Sequence, residues 1–294
     1  MPQRIDFTEE TSDDVVQASF ARTPDPRLRH VLQRLVHHLH AFARDVELTQ
    51  DEWERGIAFL TETGQMCDDD RQEFILLSDV LGLSMLVDAI TNRSLSANDE
   101  VTASTVLGPF HVVDSPPRGN GDTISLVDGG EPCLVTGRVL GSDGTPLPGA
   151  LVDVWQADER GFYDVQTPER TPRGNLRGLF TTDDAGRFHF RTIVPAAYPI
   201  PHDGPVGRLL QLTERHPYRP AHIHFIAGAP GHHPLTTHIF VAGSDYLDSD
   251  AVFGVKDSLI KEFPVVQADP PAEGADLPLP FRHCHVDIRL DVAR

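Results

Sequence analysis

The sequence predicts a mainly β protein, an antiparallel β-sandwich that is preceded by an α-helical N-terminal segment. In the first hundred residues apolar side chains recur at three- and four-residue spacing, which is typical of helices. After residue 100 the chain consists of short alternating runs separated by Gly- and Pro-rich turns. We therefore divide the 294 residues into a helical N-terminal domain over residues 1–100 and a β-sandwich domain over residues 101–294.

Three helices are predicted in the N-terminal domain. The first starts at Pro26, a residue that suits the first turn of a helix, and its apolar positions run from Leu28 to Phe42. The second opens at the sequence TQDE of residues 49–52, which has the pattern of a capping box. The third spans residues 70–90 and is apolar nearly all round, so we expect it to be buried against other elements or a second subunit.

The second domain is predicted to consist of short strands. Residues 133–157 and residues 178–193 each have the pattern strand, turn, strand, with turns at GSDGTPLPG and at Asp184-Ala185-Gly186. Three further alternating runs, AHIHFIAG, THIFVAG and HCHVDIRL, add more strands. With no helical pattern between them, these strands favour a sandwich of two sheets.

Composition and charge exclude several classes of function. The chain has 25 basic and 44 acidic side chains and a net charge of −19, so nucleic acid and anionic membranes would repel it. No run approaches the roughly 18 consecutive apolar residues of a membrane span, and the acidic N-terminus lacks the apolar core of a signal peptide. Three scattered cysteines do not make a disulfide scaffold. We expect a cytoplasmic protein that acts on a small molecule.

Two histidines and two tyrosines are the first candidates for chemistry. Residues two apart on a strand point to the same side, so His222 and His224 can offer their imidazoles to one metal ion. An HxH pair by itself is equally consistent with solvated or packed histidines. Tyr163 follows a short Gly-Phe turn, and Tyr198 lies in a Pro-rich loop that would hold its phenol in one direction.

These residues stand in motifs that resemble those of the intradiol ring-cleaving dioxygenases. The motifs are GFYD at residues 161–164, AAYPIPHDGPVG at residues 196–207 and RPAHIHF at residues 219–225, and the likeness extends over nearly the whole chain. It implies one non-haem Fe(III) per chain on a β-sandwich, where O2 opens an aromatic diol between its two hydroxyls. The ligands that it implies are Tyr163, Tyr198, His222 and His224.

The resemblance also implies two catalytic residues. Phenolate oxygen favours ferric over ferrous iron, and metal binding lowers the pKa of a tyrosine far below its free value of about 10. Tyr198 would be a ligand first and would then take a proton from the diol. Arg219, three residues before His222, would stabilise negative charge on the substrate ring.

The predicted substrate is hydroxyquinol (benzene-1,2,4-triol), opened to 3-hydroxy-cis,cis-muconate, the tautomer of maleylacetate, in the catabolism of aromatic compounds. A buried carboxylate at Asp79 needs a donor, which the third hydroxyl supplies, and leaving it unpaired costs about 1–3 kcal/mol. If Asp79 is instead solvated or a capping residue, catechol or chlorocatechol remains the alternative. His238, where catechol-cleaving relatives tend to carry Gln, favours hydroxyquinol. The residues implied to surround the substrate are Leu76, Asp79, Val106, Gly108, Pro109, Phe110, Ile200, Pro201, Arg219, His238 and Val252.

Two further histidine groups are interpreted as structural. His283 and His285 form a second HxH pair with no tyrosine beside them, and we interpret them as part of a strand. His37 and His40 lie three apart on the first helix, a spacing that can bind metal, but a solvated helix face is the preferred interpretation.

Two other kinds of function are consistent with the same sequence. The same histidines could serve a ferrous oxygenase together with a carboxylate, or the sandwich could be a metal-free binding module.

The resemblance implies a homodimer joined through the N-terminal helices, in some cases around a bound phospholipid. Such a dimer agrees with helices that are too few to bury their own apolar faces.

Overall fold

The computed structural model describes residues 6–68, 71–93 and 100–293, and the chain forms two compact units, Met1–Glu62 and Thr63–Arg294. The domain boundary near residue 100 stays a prediction, and part of the helical segment before it belongs to the second unit. Among the described residues no single helix is long and apolar enough to cross a membrane, although two short helices joined by a sharp bend meet that test together.

The first unit confirms two of the predicted helices and adds a short one. These are α1 (Ser12–Ser19), α2 (Pro26–Asp45) and the greater part of α3 (Gln50–Gln65). Thr49 and Glu52 make the predicted capping box at the start of α3, since each accepts the backbone N–H of the other. His37 Nδ1 lies 2.7 Å from the carboxylate of Asp13, so this part of α2 faces α1 as well as solvent.

The third predicted helix is two helices, α4 (Glu73–Val80) and α5 (Leu83–Thr91), and the expectation of one continuous helix is wrong. They meet at an angle of 78°. Gly82 lies between them with a φ of +72°, a left-handed conformation that ends α4 and that glycine adopts without strain. The break lets Leu76, Asp79 and Val80 on α4 be buried, whereas no residue of α5 is fully buried. Asp70, where the prediction began, lies outside the described residues.

The strands of the second unit form a sandwich, which confirms the predicted fold class. The strands are β1 (Pro132–Gly141), β2 (Leu151–Gln156), β3 (Arg177–Thr181), β4 (Arg187–Ile193), β5 (Tyr198–Pro199), β6 (Tyr218–Arg219), β7 (His222–Gly228), β8 (Leu235–Val241), β9 (Ile260–Lys261), β10 (Val265–Val266) and β11 (Phe281–Leu290). One sheet has the order β10-β11-β1-β4, the other has the order β3-β2-β7-β8-β9, and β5 and β6 pair separately. Helix α6 (Pro205–Leu212) lies between β5 and β6 along the chain, where the sequence pattern predicted no helix.

Neither of the two predicted strand–turn–strand units is a hairpin. β1 pairs with β4 and β11, whereas β2 pairs with β3 and β7, so both turns carry the chain from one sheet to the other. The β1–β11 and β8–β9 pairs are parallel, which makes both sheets mixed rather than purely antiparallel. The strands themselves were predicted from their alternation, but their partners depend on contacts between distant parts of the chain.

The two faces of the five-stranded sheet have different roles. Val154, Phe225 and Ile239 point into the apolar core between the sheets. Because side chains alternate along a strand, their neighbours point to the opposite face, where the loops that carry Phe110, Tyr163 and Tyr198 cover them. The buried polar side chains on this covered face are Arg177, His222, His224 and His238.

Candidate metal centre

The two histidines of the HxH pattern on β7 lie on the covered face and are almost fully buried. His222 and His224 each expose 1% of their surface. Their Nε2 atoms are 3.1 Å apart, which is the convergence that the strand spacing predicts. His222 Nδ1 lies 2.7 Å from the carbonyl oxygen of Pro220 and donates to it, which leaves Nε2 of the neutral ring without a proton.

Two loops bring the tyrosines to these histidines. Tyr163 begins the 3-10 turn Asp164–Gln166, and Tyr198 lies on β5, whose partner strand places it opposite Arg219. The two loops touch at Gly161, which has a φ of +85° and where a Cβ would lie 2.6 Å from Tyr198 Cβ. Only glycine allows this approach, which explains the first residue of the GFYD motif.

The four donor atoms form one tight group. Tyr163 Oη lies 3.2 Å from Tyr198 Oη and 3.1 Å from His224 Nε2. Two ligands that bind one ion at about 2.0–2.1 Å and roughly at right angles or slightly wider are about 3.0–3.3 Å apart. The spacing of the two phenols and two imidazoles, Tyr163, Tyr198, His222 and His224, therefore fits a single metal ion.

Burial sets the protonation of this group when no cation is bound. Burial raises the pKa of Tyr163 well above its ordinary value, and it raises the pKa of Tyr198 although Arg219 acts in the opposite direction. Burial, with the charge of Arg219, lowers the pKa of His222 to about 3. The imidazoles are therefore neutral at pH 7, and the phenols need a nearby cation to lose their protons.

His238 and Trp155 hold the ring of His224. His238 Nε2 lies 2.7 Å from His224 Nδ1, and His238 Nδ1 lies 2.7 Å from Thr105 Oγ1. Trp155 stacks on His224 with ring centroids 4.5 Å apart and an interplanar angle of 14°. His238 is predicted to contact substrate, but with both nitrogens engaged it lies behind His224.

Arg219 is held by a buried carboxylate that the sequence analysis did not identify. Its Nε and NH2 groups donate to Asp250 at 3.1 Å and 3.3 Å, and both side chains are 2% exposed. Burial alone would raise the pKa of Asp250, but the guanidinium lowers it below its ordinary value. Arg219 NH1 lies 3.3 Å from His222 Nε2, so the charged end of the side chain reaches the donor group.

A second buried ion pair supports the loop of Tyr163. Asp164 accepts a hydrogen bond of 2.8 Å from Arg177 Nε and another of 2.7 Å from the backbone N–H of Gly174. Because Asp164 directly follows Tyr163, this pair fixes the backbone that carries the phenol. Asp164 stands inside the GFYD motif, so the motif contained the one sequence signal for this support.

The predicted substrate residues divide into two groups. Asp79, Val106, Gly108 and Pro109 line a cavity of about 560 Å³, and a Cβ on Gly108 would lie 3.0 Å from His224. Phe110 stacks on Tyr163 with centroids 4.6 Å apart. The predicted residues that do not line this cavity are Leu76, Phe110, Ile200, Pro201, Arg219, His238 and Val252.

Asp79 has the environment that the sequence analysis assumed for it. It is 5% exposed, and burial raises the pKa of its carboxyl group although Ser84 and Arg219 act in the opposite direction. The interpretation of Asp79 as a solvated residue is therefore wrong. A buried carboxyl group on the wall of a cavity can accept a hydrogen bond from a polar ligand.

Comparison with known proteins agrees with this geometry. Residues 115–291 match the family described as Dioxygenase, and residues 25–99 match the Catechol dioxygenase N terminus. The chain is 55% identical to a 6-chlorohydroxyquinol 1,2-dioxygenase of Cupriavidus pinatubonensis over 84% of this chain and 88% of that one. It is 51% identical to a hydroxyquinol 1,2-dioxygenase of a Rhizobium species over 89% and 88% of the two chains.

A solved structure extends the likeness to the fold. The hydroxyquinol 1,2-dioxygenase of Pseudomonas putida superposes with a TM-score of 0.91 at 48% sequence identity. The match covers 97% of this chain and 99% of that one, so the helical segment and the sandwich are both included.

Proposed function

Because the chain belongs to the intradiol ring-cleavage dioxygenases, we propose that it uses O2 to open hydroxyquinol between its adjacent hydroxyls at a non-haem Fe(III). The observation that carries this proposal is the convergence of two phenol oxygens and two imidazole nitrogens at 3.1–3.2 Å spacing. The names of the relatives support the substrate. The expected product is 3-hydroxy-cis,cis-muconate, the tautomer of maleylacetate.

The residues proposed to hold one Fe(III) per chain are Tyr163, Tyr198, His222 and His224. When bound, ferric iron supplies a Lewis acid that draws electron density from a coordinated diol and makes its ring reactive toward O2. Two phenolates offset part of the charge of a trivalent ion, and two neutral imidazoles complete a donor set that leaves room for substrate.

Tyr198 is proposed to act as a base as well as a ligand. A diol that binds through both hydroxyl oxygens must give up two protons, and Tyr198 Oη can take one of them. Its partner across β5 and β6 is Arg219, whose charge favours the phenolate form, although burial keeps the pKa of Tyr198 raised overall. The side chain can therefore change between phenolate and phenol during turnover.

Arg219 is proposed to stabilise the negative charge that the deprotonated substrate carries. Its guanidinium is fully buried, permanently charged and fixed by Asp250, so it needs no reorganisation when charge develops beside it. Asp250 supplies the counter-charge of Arg219. The proposed site can therefore hold a guanidinium beside a metal ion without burying an unpaired charge.

Asp79 supports hydroxyquinol over plain catechol. Its buried carboxyl group gains a donor when a third hydroxyl points to it, and has none to gain from a ring without that hydroxyl. We expect Asp79→Leu to lower kcat/KM for hydroxyquinol relative to that for catechol by about 10- to 100-fold. Steady-state kinetics with hydroxyquinol, 6-chlorohydroxyquinol and catechol would measure this ratio.

Asp88→Asn is the matched control for this specificity test. Asp88 lines the same cavity but already accepts hydrogen bonds from Asn92 and Ser104. We expect this variant to leave the ratio of the two kcat/KM values within about 3-fold of the wild-type ratio. A ratio that Asp79→Leu left unchanged would contradict the proposed recognition of the third hydroxyl.

The visible spectrum tests the ligand set. We expect protein purified without chelator to hold about one iron per chain and to show the burgundy charge-transfer band of tyrosinate on Fe(III). Tyr163→Phe and Tyr198→Phe should bleach or shift the band. Tyr218→Phe, which changes a more exposed tyrosine stacked on Tyr246, should leave it unchanged.

Each other outcome of this experiment identifies a different function. Iron with no tyrosinate band would support a ferrous oxygenase that uses the histidines with a carboxylate. No bound iron would support a metal-free binding module. A band that neither Tyr163→Phe nor Tyr198→Phe altered would reject the proposed ligands.

We also propose that two copies associate through α2. Five of its large apolar side chains recur at helical spacing and remain 40–56% exposed, namely Leu28, Val31, Leu35, Leu39 and Phe42. An apolar stripe of this length is typical of a face that is covered in the assembled protein. A second copy of the same helix matches it, because a stripe of this kind is self-complementary in a two-fold dimer.

Light scattering tests the dimer. We expect the mass of two chains for the wild type and the mass of one chain for the double variant L35E/L39E. Arg34→Glu places the same carboxylate on a neighbouring exposed position of α2 and should leave the dimer intact. A single-chain mass for the wild type would contradict the proposal. Bound phospholipid and a cytoplasmic location stay predictions, which lipid extraction with mass spectrometry and cell fractionation would check.

A further inference from the structure

The two candidate histidine ligands are oriented in different ways. His222 donates from Nδ1 to a backbone carbonyl, that of Pro220, at 2.7 Å. His224 Nδ1 instead faces a side chain, His238 Nε2, also at 2.7 Å. A backbone acceptor is the same whatever the residue type, whereas a side-chain partner on β8 depends on which residue is present. The orientation of His224 is therefore open to change by substitution.

The donors and acceptors of this chain of contacts can be assigned from His224 outward. His224 Nε2 faces Tyr163 Oη at 3.1 Å, so it must carry no proton if it binds a cation, and the single N–H of the ring then lies on Nδ1. His238 Nε2 must accept that hydrogen bond. The remaining N–H of His238 is on Nδ1, which points at Thr105 Oγ1 at 2.7 Å, so the threonine oxygen accepts.

We propose that His238 and Thr105 are positioning residues that determine which nitrogen of His224 is free to bind the metal. This inference rests on the proposed function and deepens it. Thr105 touches none of the four proposed ligands directly, and its effect reaches His224 through two consecutive hydrogen bonds. Partners of this kind commonly change metal affinity by 10- to 100-fold when they are removed.

The surroundings make this chain rigid. His238 is 0% exposed and Thr105 is 3% exposed, so water does not replace either contact easily. The backbone N–H of Thr105 donates to the carbonyl oxygen of Thr236 on β8 at 2.9 Å, which fixes the segment that carries the hydroxyl. Three residues later Gly108 covers the edge of the His224 ring. The same segment therefore orients His224 and covers it.

Thr105→Val is the decisive variant, because it keeps the shape of the side chain and removes the acceptor. The N–H on His238 Nδ1 then lacks a partner, which favours the form with N–H on Nε2. That N–H would oppose the N–H of His224, and His224 would respond by moving its proton to Nε2. We expect Fe(III) affinity to fall about 10- to 100-fold, as measured by competition with nitrilotriacetate, together with a shift of the visible band.

Conservative substitutions at His238 and Thr105 should keep the iron affinity that the disruptive substitutions lower. His238→Gln keeps an oxygen that accepts from His224 and an amide N–H that donates to Thr105, so its iron affinity should stay within about 3-fold of wild type. Thr105→Ser should do the same. His238→Leu removes both contacts and should lose at least as much affinity as Thr105→Val.

Thr237→Val is the matched control for a buried threonine. Its hydroxyl donates to the carbonyl oxygen of Ala103 at 2.7 Å, from the opposite face of β8. The free energy of unfolding of Thr237→Val should fall by about as much as that of Thr105→Val, whereas its iron affinity and visible band should stay those of the wild type. This separates positioning from a general loss of stability.

The outcomes distinguish this proposal from the proposed function. Iron binding by Thr105→Val that equals that of Thr237→Val, with the same spectrum, would overturn the positioning role and leave the function intact. Wild-type protein that bound no iron would overturn the proposed function, and this inference with it. If His238→Leu does not fold, Thr105→Val and its serine control still decide the question.

Discussion

The outer faces of the two sheets carry the same HxH spacing, on β7 at His222 and His224 and on β11 at His283 and His285. On β7 the two Nε2 atoms lie 3.1 Å apart, His224 Nε2 lies 3.1 Å from the phenol oxygen of Tyr163, and the rings are buried. On β11 both histidines instead face one hydroxyl, that of Thr136, at 2.9 Å and 3.0 Å. The side chain of His285 there is 53% exposed.

The difference lies in what covers each face. Loops with Tyr163, Tyr198 and Phe110 close over the five-stranded sheet and exclude water from the histidines. The face of the four-stranded sheet stays open as a surface cavity lined by His283, His285 and Thr136. The same HxH spacing therefore fits a metal ion only on β7, where further donor atoms and burial are added to it.

Alanine at one histidine of each pair gives the largest expected effect. We expect His224→Ala to abolish the tyrosinate band and to lower kcat by about 10³-fold or more, since it removes a proposed ligand. His285→Ala, made in the same way on the open face, should keep kcat within about 2-fold, because the hydrogen bonds of its ring go to Thr136 and Asp287, away from the proposed ligands. Iron content and turnover measure both. Similar losses of iron and of kcat in the two variants would contradict the proposed difference between the two sheet faces.

The same comparison applies to two arginine–aspartate pairs. Asp250 and Arg219 are buried behind the proposed site with a shortest contact of 3.1 Å, whereas Asp287 and Arg138 form a closer pair, at 2.7 Å, on the open face. We expect Asp250→Asn to cost about 3–5 kcal/mol of unfolding free energy, because it leaves a buried guanidinium unpaired. Asp287→Asn should cost about 0–1 kcal/mol. Urea unfolding measures both, and equal costs would contradict the assigned difference in burial.

The pH dependence of stability gives the smallest expected effect. Burial and the neighbouring His285 lower the pKa of His283 below its ordinary value, although Glu273 acts in the opposite direction. The unfolded chain then binds this proton more readily, so His283 destabilises the fold as pH falls through 6.5. His283→Gln should therefore raise Tm relative to wild type at pH 5.5 but not at pH 7.5, by no more than about 2 °C. If the Tm difference between His283→Gln and wild type were the same at both pH values, the lowered pKa of His283 would be contradicted.

Much of the fold could be predicted because its signals are local. Strand alternation, the Pro26 start of α2 and the capping box at Thr49 each depend on residues within one or two turns. The break at Gly82 was missed although the glycine was visible, because an isolated glycine inside an apolar helical pattern is often tolerated. Its φ of +72° is a property of the folded chain.

The site could be predicted only as far as its motifs reach. His222 and His224 share a strand, and the two tyrosines were connected to them through a family resemblance. Asp250 lies 31 residues from Arg219 and Thr105 lies 133 residues from His238, and no period or spacing relates either pair. The roles of Asp250 and Thr105 were missed because a counter-charge or a hydrogen-bond acceptor is recognised only when the buried side chain that it contacts is known.

By itself the amino-acid sequence determined the alternation of each strand, the helix starts and the residue types able to bind a metal, because backbone sterics and side-chain chemistry act over a few residues. Only the tertiary structure decided which strands pair, which sheet face the loops cover and which hydroxyl or carboxylate lies behind each functional side chain. Those choices depend on the burial of the whole chain at once, where contacts more than a hundred residues apart compete for the same apolar surface.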